Sequence, residues 1–374
     1  MLNKRIITIQ LTGLLLLSFF SCTQAQNSDY KYSVPKKLSD GWEVSSLEAE
    51  GIEPGPILEI SAQIRDIDLM DNVLSMLIVK NGKLVHEVYS PYCQRNTLHW
   101  MASITKSVSS TLIGIAIDKG FIKSVNESVV DLLPEYKNAL KDPKFRNISL
   151  KHIMTMTSGI EWNEQVSYNN PRNSEYQMVE TDDWMRFVLS HDVNNTPGTG
   201  FLYNTGSIHL LSAVIKSVTG LYANQFAEEH LFHPMGIYGY QWNRDPRGYP
   251  CTGGTDGGVG LRSRDLAKFG WLFLYDGTWQ GQRIISQKWI AEATKKYPLL
   301  PGRRSYYSYN WFPGTKTVNG ISFDYKATFG YGGQILFIVP EYELILIFTC
   351  ELAEGGYNSN ILADKVLSAI IKSN

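Results

Sequence analysis

Strand-like segments at the two ends of the chain constrain the fold more than any other feature. Residues 75–79 and 84–89 are strand-like and are joined by Asn81-Gly82, a pair that favours a two-residue hairpin turn. Residues 334–339 and 343–349 predict a second hairpin near the C-terminus. We therefore expect one antiparallel sheet, assembled from both ends of the chain and covered by helices, in a fold of the α+β class.

Helical patterns predict what covers this sheet. Residues 56–67 and 360–372 carry apolar side chains at helical spacing. We expect residues 26–98 and 301–374 to form the two parts of an α/β domain. A mostly helical domain with long loops, residues 99–300, is expected between them.

Composition narrows the classes of function. The chain has 374 residues, of which 43% are hydrophobic and 19% are charged. Such a chain can bury a large core and is not of the disordered class. Its formal net charge is -1, and it has no long run of one sign. Nucleic-acid binding is therefore not expected, because the basic surface that it requires is missing.

The first 25 residues predict export. Lys4 and Arg5 precede an apolar run over residues 6–20, which is typical of a secretory signal. Two processing routes stay open: ordinary cleavage after the small residues 23–25, or a bacterial lipoprotein junction at Ser21-Cys22. Either route takes the protein to the periplasm or cell envelope. A lipid on Cys22 is the one membrane attachment that we expect.

Cysteine and histidine patterns predict no metal site. Cys93, Cys251 and Cys350 follow the leader, without CxxC or zinc-ligand spacing. Buried thiols are favoured, and a disulfide between two of the three stays open in an oxidising compartment. His230 and His233 lie three residues apart, but no third ligand is evident.

The strongest catalytic candidate is the S-x-x-K segment over residues 103–106. The same pattern occurs at residues 28–31 and 33–36, in a polar segment where Pro35 opposes a helix. Ser103 instead begins an apolar helical run. That run is apolar nearly all round, so the helix is expected to be central and buried.

This spacing suits nucleophilic catalysis. A serine hydroxyl needs a neighbouring base, and residues three apart in a helix share a face, so Lys106 would lie beside Ser103. Burial lowers the pKa of a lysine, and free N–H groups at the helix start favour an oxyanion. On these grounds alone, a helix-capping serine and a lysine reaching for solvent remain an equal alternative.

Three ordered motifs resemble those of the penicillin-recognising serine hydrolases. They are residues 99–107 (HWMASITKS), residues 197–205 (PGTGFLYNT) and residues 330–334 (GYGGQ). The resemblance is to the class C β-lactamase-like group, which includes esterases, D-aminopeptidases and hydrolases of aminohexanoate oligomers. It runs from about residue 41 to the C-terminus and implies a β-lactamase-like fold.

The resemblance also implies roles for single residues. Ser103 attacks a carbonyl, Lys106 helps to remove its proton, and Tyr203 is the partner base and then the acid for the leaving group. The second oxyanion donor is the Gln334 N–H, expected at the edge of the sheet opposite the Ser103 N–H. The acyl-serine is then hydrolysed by water, and no metal or organic cofactor is needed.

The sequence departs from the β-lactamase motifs at two places. Thr205 stands where β-lactamases have Asn, and Tyr331-Gly332-Gly333 stands where they have Lys-Thr-Gly. Tyr331 offers no positive charge to a β-lactam carboxylate, so we expect slow β-lactam hydrolysis. Gly332 and Gly333 leave room for the backbone to approach a substrate closely.

We therefore expect an exported serine hydrolase acting on a carboxylic ester or a small amide, with a small molecule as its partner. The alternatives are a penicillin-binding-like receptor that is acylated with little turnover, and a cell-wall D-amino peptidase.

Two segments have no assigned role. Residues 169–173, with Trp162 and Trp184, either line the substrate cleft or are ordinary loop residues. The glycine-rich run over residues 253–260 lacks the following Lys of a phosphate-binding loop, so a phosphate site is not expected.

Overall fold

The computed structural model describes residues 30–66, 72–302, 305–353 and 359–372. The predicted leader, with its Cys22, lies outside the described residues. Within the described ranges, no helix combines the length and the apolar character needed to cross a bilayer.

Strands lie toward both ends of the described chain and helices predominate between them. The strands are β1 (Glu43–Val44), β2 (Val73–Lys80), β3 (Lys83–Tyr89), β4 (His99–Trp100), β5 (Gln241–Trp242), β6 (Val259–Leu261), β7 (Thr278–Trp279), β8 (Gln282–Arg283), β9 (Phe312–Val318), β10 (Ile321–Gly330), β11 (Gln334–Val339) and β12 (Leu344–Cys350). The α-helices are α1 (Pro54–Arg65), α2 (Ile104–Asp118), α3 (Leu150–Met154), α4 (Ser174–Val179), α5 (Trp184–Leu189), α6 (Thr205–Thr219), α7 (Ala223–Ala227), α8 (Ser263–Leu274), α9 (Gln287–Ala293) and α10 (Ser359–Ile370).

A seven-stranded sheet forms the centre of the molecule, in the order β1-β3-β2-β12-β11-β10-β9. β12 pairs antiparallel with β2, so that Leu346 lies opposite Ile78. The short β1 pairs parallel with β3, and the other neighbours are antiparallel. The predicted sheet from both chain ends is thereby confirmed.

Hairpins fix the register of this sheet. Asn81 and Gly82 have φ of 51° and 75°, as the two-residue turn between β2 and β3 requires. A third hairpin, β9–β10, was not predicted, although Asn319-Gly320 forms the same kind of turn. Pro313 lies in β9, on the outer edge of the sheet, where a missing N–H is tolerated.

The extra hairpin corrects one expectation about Gln334. Because β10 and β9 continue the sheet beyond β11, Gln334 begins an interior strand and not an edge strand. Its side chain is fully buried: Nε2 donates to the Cys350 carbonyl at 2.6 Å, and Oε1 accepts from the Cys350 N–H at 3.0 Å. The amide side chain therefore joins β11 to β12.

Alternating side chains cover the two faces of the sheet. Leu346 points to the face covered by α1 and α10, whereas Ile345 and Ile347 point to the face covered by α8 and α2. Phe269 of α8 packs in this second core. α8 therefore lies on the sheet, although its sequence falls within the predicted helical region.

No disulfide joins the described cysteines. Cys93, Cys251 and Cys350 are each buried and unbonded. Burial raises the pKa of each thiol, that of Cys350 to about 12. The three side chains are buried thiols, as favoured by the sequence.

Candidate active site

The nucleophile candidate lies at the junction of β4 and α2. Ala102, directly before Ser103, has a left-handed backbone with φ of 45°. The Ala102 N–H donates to the Gly257 carbonyl at 2.8 Å, and the Met101 N–H donates to the Val259 carbonyl at 2.9 Å. Backbone bonds thus fix the turn that presents Ser103.

Lys106 lies beside Ser103, as the helical spacing predicts. Lys106 Nζ is 2.8 Å from Ser103 Oγ and also donates to the Gly253 carbonyl. Lys106 is only 2% exposed, and the Ser103 side chain makes no capping bond to the helix. The alternative of a capping serine and a solvent-seeking lysine is therefore excluded.

Tyr203 completes this cluster from a different element. The Ser103 hydroxyl lies near its phenol, and Lys106 Nζ lies 4.9 Å from the centre of its ring. Tyr203 precedes α6, whose start is capped by Asn204: Asn204 Oδ1 accepts from the Ser207 N–H at 2.7 Å. The cap fixes the chain direction that aims the phenol at Ser103.

Burial shifts the pKa values of the two helpers in opposite directions. It lowers the pKa of the Lys106 ammonium, an effect that the charges of Glu164 and Glu175 oppose. It raises the pKa of the Tyr203 phenol, and the charge of Glu164 adds to this. A neutral amine accepts a proton and a neutral phenol donates one, so Lys106 is better suited than Tyr203 to be the base.

A cavity of about 270 Å³ opens beside Ser103 and Lys106. Of the residues predicted to bind substrate, Thr205 and Tyr331 line it. Gly332, Gly333 and Gln334 are not part of its wall. A side chain at Gly332 would lie 2.2 Å from the Glu351 carbonyl, so this glycine allows close packing against the protein's own backbone.

The glycine-rich run of the sequence forms the floor of this cavity. A side chain at Gly254 would come within 2.4 Å of the Ala102 carbonyl, and one at Gly258 within 2.3 Å of the Thr105 hydroxyl. Only glycine lets this segment lie against the turn that holds Ser103. The run thus supports the turn at Ser103.

Aromatic rings form the cavity mouth. The rings of Tyr168 and Tyr331 meet edge to face, with centroids 5.2 Å apart, and both residues line the cavity. The loop around residues 169–173 therefore contributes to the cleft through its neighbour Tyr168. Trp162 and Trp184 are 5% and 2% exposed and belong to the core.

Two acidic residues of this site were missed by sequence reasoning. Glu164 accepts hydrogen bonds from the N–H and the hydroxyl of Thr205, and Glu175 accepts one from the Thr255 hydroxyl. Glu175 lines the cavity. Their spacing matches no recognised motif, and only their closeness to the loop at residues 169–173 points toward the cleft.

None of the described residues that line the cavity is a histidine. Within the described ranges, no group of three or more His, Cys, Asp or Glu side chains could hold a metal ion. His230 contacts Glu229, and the His233 ring packs on Tyr238. His209 pairs with Asp245 at 3.0 Å in the core.

Comparison with known proteins gives consistent results. A model of the Beta-lactamase family matches residues 68–367. The chain is 26% identical over 297 residues to the 6-aminohexanoate-dimer hydrolase of Paenarthrobacter ureafaciens, covering 73% of this chain and 71% of that protein.

Solved structures share the fold. A family VIII carboxylesterase superposes with a TM-score of 0.63 at 17% identity, covering 86% of this chain and 98% of that chain. The penicillin binding protein from Bacillus halodurans superposes with a TM-score of 0.60 at 17% identity, covering 80% and 97%.

The family match spans most of the sequence and includes the three ordered motifs, which confirms the resemblance drawn from them. The solved structures at these low identities establish the common β-lactamase-like architecture. The chain therefore belongs to the Beta-lactamase family, a family of hydrolases with esterase, amidase and penicillin-binding relatives.

Proposed function

We propose that this protein is a serine hydrolase that cleaves a carboxylic ester or a small amide through an acyl-Ser103 intermediate. The observation that carries the proposal is the 2.8 Å distance between Lys106 Nζ and Ser103 Oγ beside the cavity. A buried amine next to a serine hydroxyl is the arrangement that nucleophilic activation requires.

In the acylation step, Ser103 Oγ bonds to the substrate carbonyl carbon and its proton passes to the neutral Lys106 amine. The carbonyl oxygen becomes an oxyanion that accepts from the Ser103 N–H. The family resemblance assigns a second donor to the Gln334 N–H, although Gln334 lies outside the cavity wall. As the bond to the leaving group breaks, Tyr203 donates its phenolic proton to that group. Lys106 then returns a proton to Tyr203.

In the deacylation step, water attacks the carbonyl carbon of the acyl-serine and gives its proton to Lys106. The bond to Ser103 Oγ breaks, and the serine recovers a proton from Lys106. The carboxylic acid product leaves, so protons and electron pairs balance without a cofactor.

The charges of the cavity wall favour a substrate without a carboxylate near the reacting bond. Among the described residues that line the cavity, Lys106 is the one basic side chain, and it already contacts Ser103 and Gly253. Glu175 and Asp256 lie in the same wall. The similarity to a carboxylesterase and to an aminohexanoate-dimer hydrolase supports an ester or a small amide.

Replacing Ser103 tests this function directly. Ser103→Ala is expected to lower hydrolysis of a nitrophenyl ester by about 10³-fold or more, with a nearly unchanged melting temperature, because only the attacking oxygen is removed. Ser33→Ala is the matched control, since Ser33 begins another S-x-x-K segment but is exposed. Retained turnover in Ser103→Ala would refute the nucleophile.

Intact-mass analysis separates the proposal from its alternatives. Esters, D-amino amides and β-lactams are supplied in turn, and the acyl adduct on the protein is measured. A transient adduct with product release supports the hydrolase, and preferred turnover of D-amino amides points to the peptidase. An adduct that accumulates without product identifies the penicillin-binding-like receptor.

We also propose export to the bacterial periplasm or cell envelope, supported by the sequence of residues 1–25. Fractionation of cells expressing the wild type and Cys22→Ser tests it. Membrane attachment that is lost in Cys22→Ser identifies the lipoprotein route. An envelope protein unaffected by the change identifies ordinary cleavage, and a cytoplasmic protein contradicts the proposal.

A further inference from the structure

A second cavity shares no lining residue with the one beside Ser103. Its volume is about 620 Å³, which lies within the range of small-ligand sites. Three parts of the chain form its wall: the segment 30–36 that precedes β1, the end of α1, and β3 with the loop that follows it. The proposed mechanism gives this cavity no role.

Basic side chains dominate the charge of this wall. Four of the described lining residues are basic: Lys31, Lys36, Arg65 and Arg95. Glu87 is the one carboxylate among the described lining residues. The whole chain has a formal net charge of -1, so general basicity does not account for this group of cations. The positive charge is a local property of the cavity.

The carboxylate of Glu87 is already neutralised by other partners. Its Oε1 accepts from Arg95 Nη2 at 2.7 Å and from Arg264 Nη2 at 2.8 Å. Its Oε2 accepts from Arg264 Nε at 2.8 Å and from the Tyr89 phenol at 2.9 Å, and its side chain is only 5% exposed. Arg264 also pairs with Asp40 at 2.7 Å. The charges of these two arginines and two carboxylates therefore balance each other.

Three cations of the wall have no such partner. In the part of the chain that the structure describes, Lys31, Lys36 and Arg65 form no ion pair. Arg65 donates from Nη1 to a backbone carbonyl at 3.1 Å, which leaves its Nε and Nη2 for a ligand. Arg95 uses Nε and Nη2 on Glu87, and its Nη1 has no acceptor among the described residues. Both guanidinium groups thus keep N–H donors for a bound anion.

The segment 30–36 is attached to the rest of the fold at two points. The Tyr32 ring stacks on His86 with centroids 5.8 Å apart, and its hydroxyl donates to a carbonyl of β3 at 3.1 Å. The Lys36 carbonyl accepts from Arg264 Nη2 at 2.9 Å. The wall formed by this segment is therefore held in place without a ligand, which reduces the entropy lost on binding.

We propose that this cavity binds an organic phosphate, with Arg65 and Arg95 on the phosphate oxygens and with Lys31 and Lys36 adding positive charge. A guanidinium group donates to two oxygens of one phosphate, a geometry that a lysine lacks. A phosphate monoester carries about two negative charges near neutral pH. It therefore matches three unpaired cations better than the single charge of a carboxylate does.

The side chains around these cations favour a polar body on the phosphate. Tyr30, Ser33 and Tyr89 bring hydroxyl-bearing side chains to the wall, and hydroxyl groups both donate to and accept from a sugar. The apolar lining residues among those described are the small Val34, Pro35 and Val88. A sugar phosphate fits this lining, and a phosphorylated lipid headgroup presents the same chemical group.

Calorimetric titration of the full chain with glucose 6-phosphate, glucose and gluconate tests the proposal. Glucose 6-phosphate is expected to bind at least about tenfold more tightly than either of the others, because it alone brings a doubly charged phosphate. High salt should weaken this binding, since the attraction is electrostatic. Equal affinity for gluconate would overturn the assignment to phosphate.

A pair of double variants locates the binding. Lys31→Gln with Arg65→Gln removes two cations that have no described carboxylate partner, and should weaken glucose 6-phosphate binding by about tenfold or more. Its melting temperature and ester hydrolysis should stay unchanged, because neither residue lines the cavity beside Ser103.

Lys37→Gln with Lys372→Gln is the matched control. It removes the same number of charges from exposed lysines outside the cavity wall, and should bind glucose 6-phosphate as the wild type does. Equal affinity in the two double variants would overturn the proposal, because the binding would then not depend on this cavity. The titration needs no substrate turnover, so its result is independent of the hydrolase function.

Cosedimentation with vesicles separates the two sources of phosphate. Vesicles of phosphatidylcholine are compared with vesicles that also contain phosphatidic acid, with and without glucose 6-phosphate as a competitor. Extra capture by phosphatidic acid that the competitor and the Lys31→Gln, Arg65→Gln variant both abolish identifies a lipid headgroup. Calorimetric binding without extra capture identifies a soluble phosphate, and a protein that does neither contradicts the proposal.

Discussion

Ala102, the residue before Ser103, shows how a local conformation is held in place. A left-handed backbone at a non-glycine residue is unfavourable by about 1 kcal/mol or more. Ala102 retains it because its N–H is bonded to Gly257 and the adjoining Gly254 leaves room for its carbonyl. The strain lies where it aims the Ser103 hydroxyl at the cavity.

Two buried lysines should respond in opposite ways to the same substitution. Lys106→Met is expected to reduce ester hydrolysis by about 10³-fold while stability is kept, because the base is removed and no carboxylate loses a direct ion pair. Lys268→Met leaves its ion-pair partner Asp265 unpaired. This second variant should lose about 3 kcal/mol of stability but keep its kcat.

Chemical denaturation and steady-state kinetics on the two variants check this contrast. A Lys106→Met protein that hydrolyses esters normally would transfer the base role to another group. Equal losses of stability in both variants would contradict the assignment of Lys106 to chemistry and Lys268 to structure.

Tyr203→Phe isolates the proton donor of the site. The ring is kept and the hydroxyl is lost, so ester hydrolysis is expected to fall by about 10²-fold to 10⁴-fold. The loss should be smaller for a nitrophenyl ester than for an alkyl ester, because a nitrophenolate leaves without a proton. Equal losses for both esters would argue that the phenol does not protonate the leaving group.

A cephalosporin probes the part of the cavity wall formed by Tyr331. Tyr331 gives the cavity no cation for a β-lactam carboxylate, so cephalosporin hydrolysis is expected to be slow compared with ester hydrolysis. Steady-state kinetics with both substrates on one preparation measure the ratio. Turnover as fast as that of a dedicated resistance enzyme would show that another group binds the carboxylate.

At the level of single residues, the sequence predicts those that lie on one helix or in one motif. Ser103 and Lys106 share a helix face, so their contact follows from spacing alone. Glu164 and Glu175 lie on either side of a loop, and their bonds to Thr205 and Thr255 depend on the course of that loop and on the capping of α4 by Asn173. No periodic pattern in the sequence predicts the path of this loop.

At the scale of elements, the glycine-rich run over residues 253–260 packs against the start of α2 and supports it. Gly254→Ala places a side chain on a left-handed backbone and against the Ala102 carbonyl. Gly248→Ala also places a side chain on a left-handed backbone, but that side chain meets no neighbouring atom. Both variants should lose about 1 kcal/mol of stability from the backbone. Gly254→Ala should lose a further 1–3 kcal/mol or so from overlap, together with most of its activity.

Thermal unfolding and ester hydrolysis of the pair check this difference. A Gly254→Ala protein that matches Gly248→Ala in stability and turnover would show that the floor segment shifts freely and does not support Ser103.

The sequence predicts some strands of the sheet correctly and misses others, for physical reasons. The β2–β3 and β11–β12 hairpins have long apolar runs and clear turns, and the structure confirms them. β9 contains Pro313 and Gly314, which argue against a strand unless it lies at an edge. Edge position is a property of the whole sheet, so the sequence of β9 alone could not supply it.

At the scale of the whole molecule, buried histidines set the response to acid. His86 and His99 are buried, and desolvation lowers the pKa of each from 6.5 to about 4. Between these values the unfolded chain binds protons that the folded protein does not. Stability is therefore expected to fall as the pH drops from about 6.5 to about 4, by about 3 kcal/mol for each histidine.

Urea unfolding across this pH range measures the slope. His99→Leu should remove the contribution of this one histidine, about 3 kcal/mol over this range, and leave no polar atom unpaired, because neither ring nitrogen of His99 has a hydrogen-bond partner among the described residues. His233→Leu, at an exposed histidine, should leave the slope unchanged. An unaltered slope in His99→Leu would place the acid sensitivity elsewhere.

The position of β12 between β2 and β11 has a consequence for the order of folding. A strand encoded near residue 75 finds its neighbour only near residue 345, so the two halves of the sheet join only when both ends of the chain are present. During synthesis, the β2–β3 hairpin keeps one unpaired edge until residues 344–350 have left the ribosome. Such an unpaired edge can form backbone hydrogen bonds with other chains. Nascent or C-terminally truncated forms should therefore be prone to aggregate.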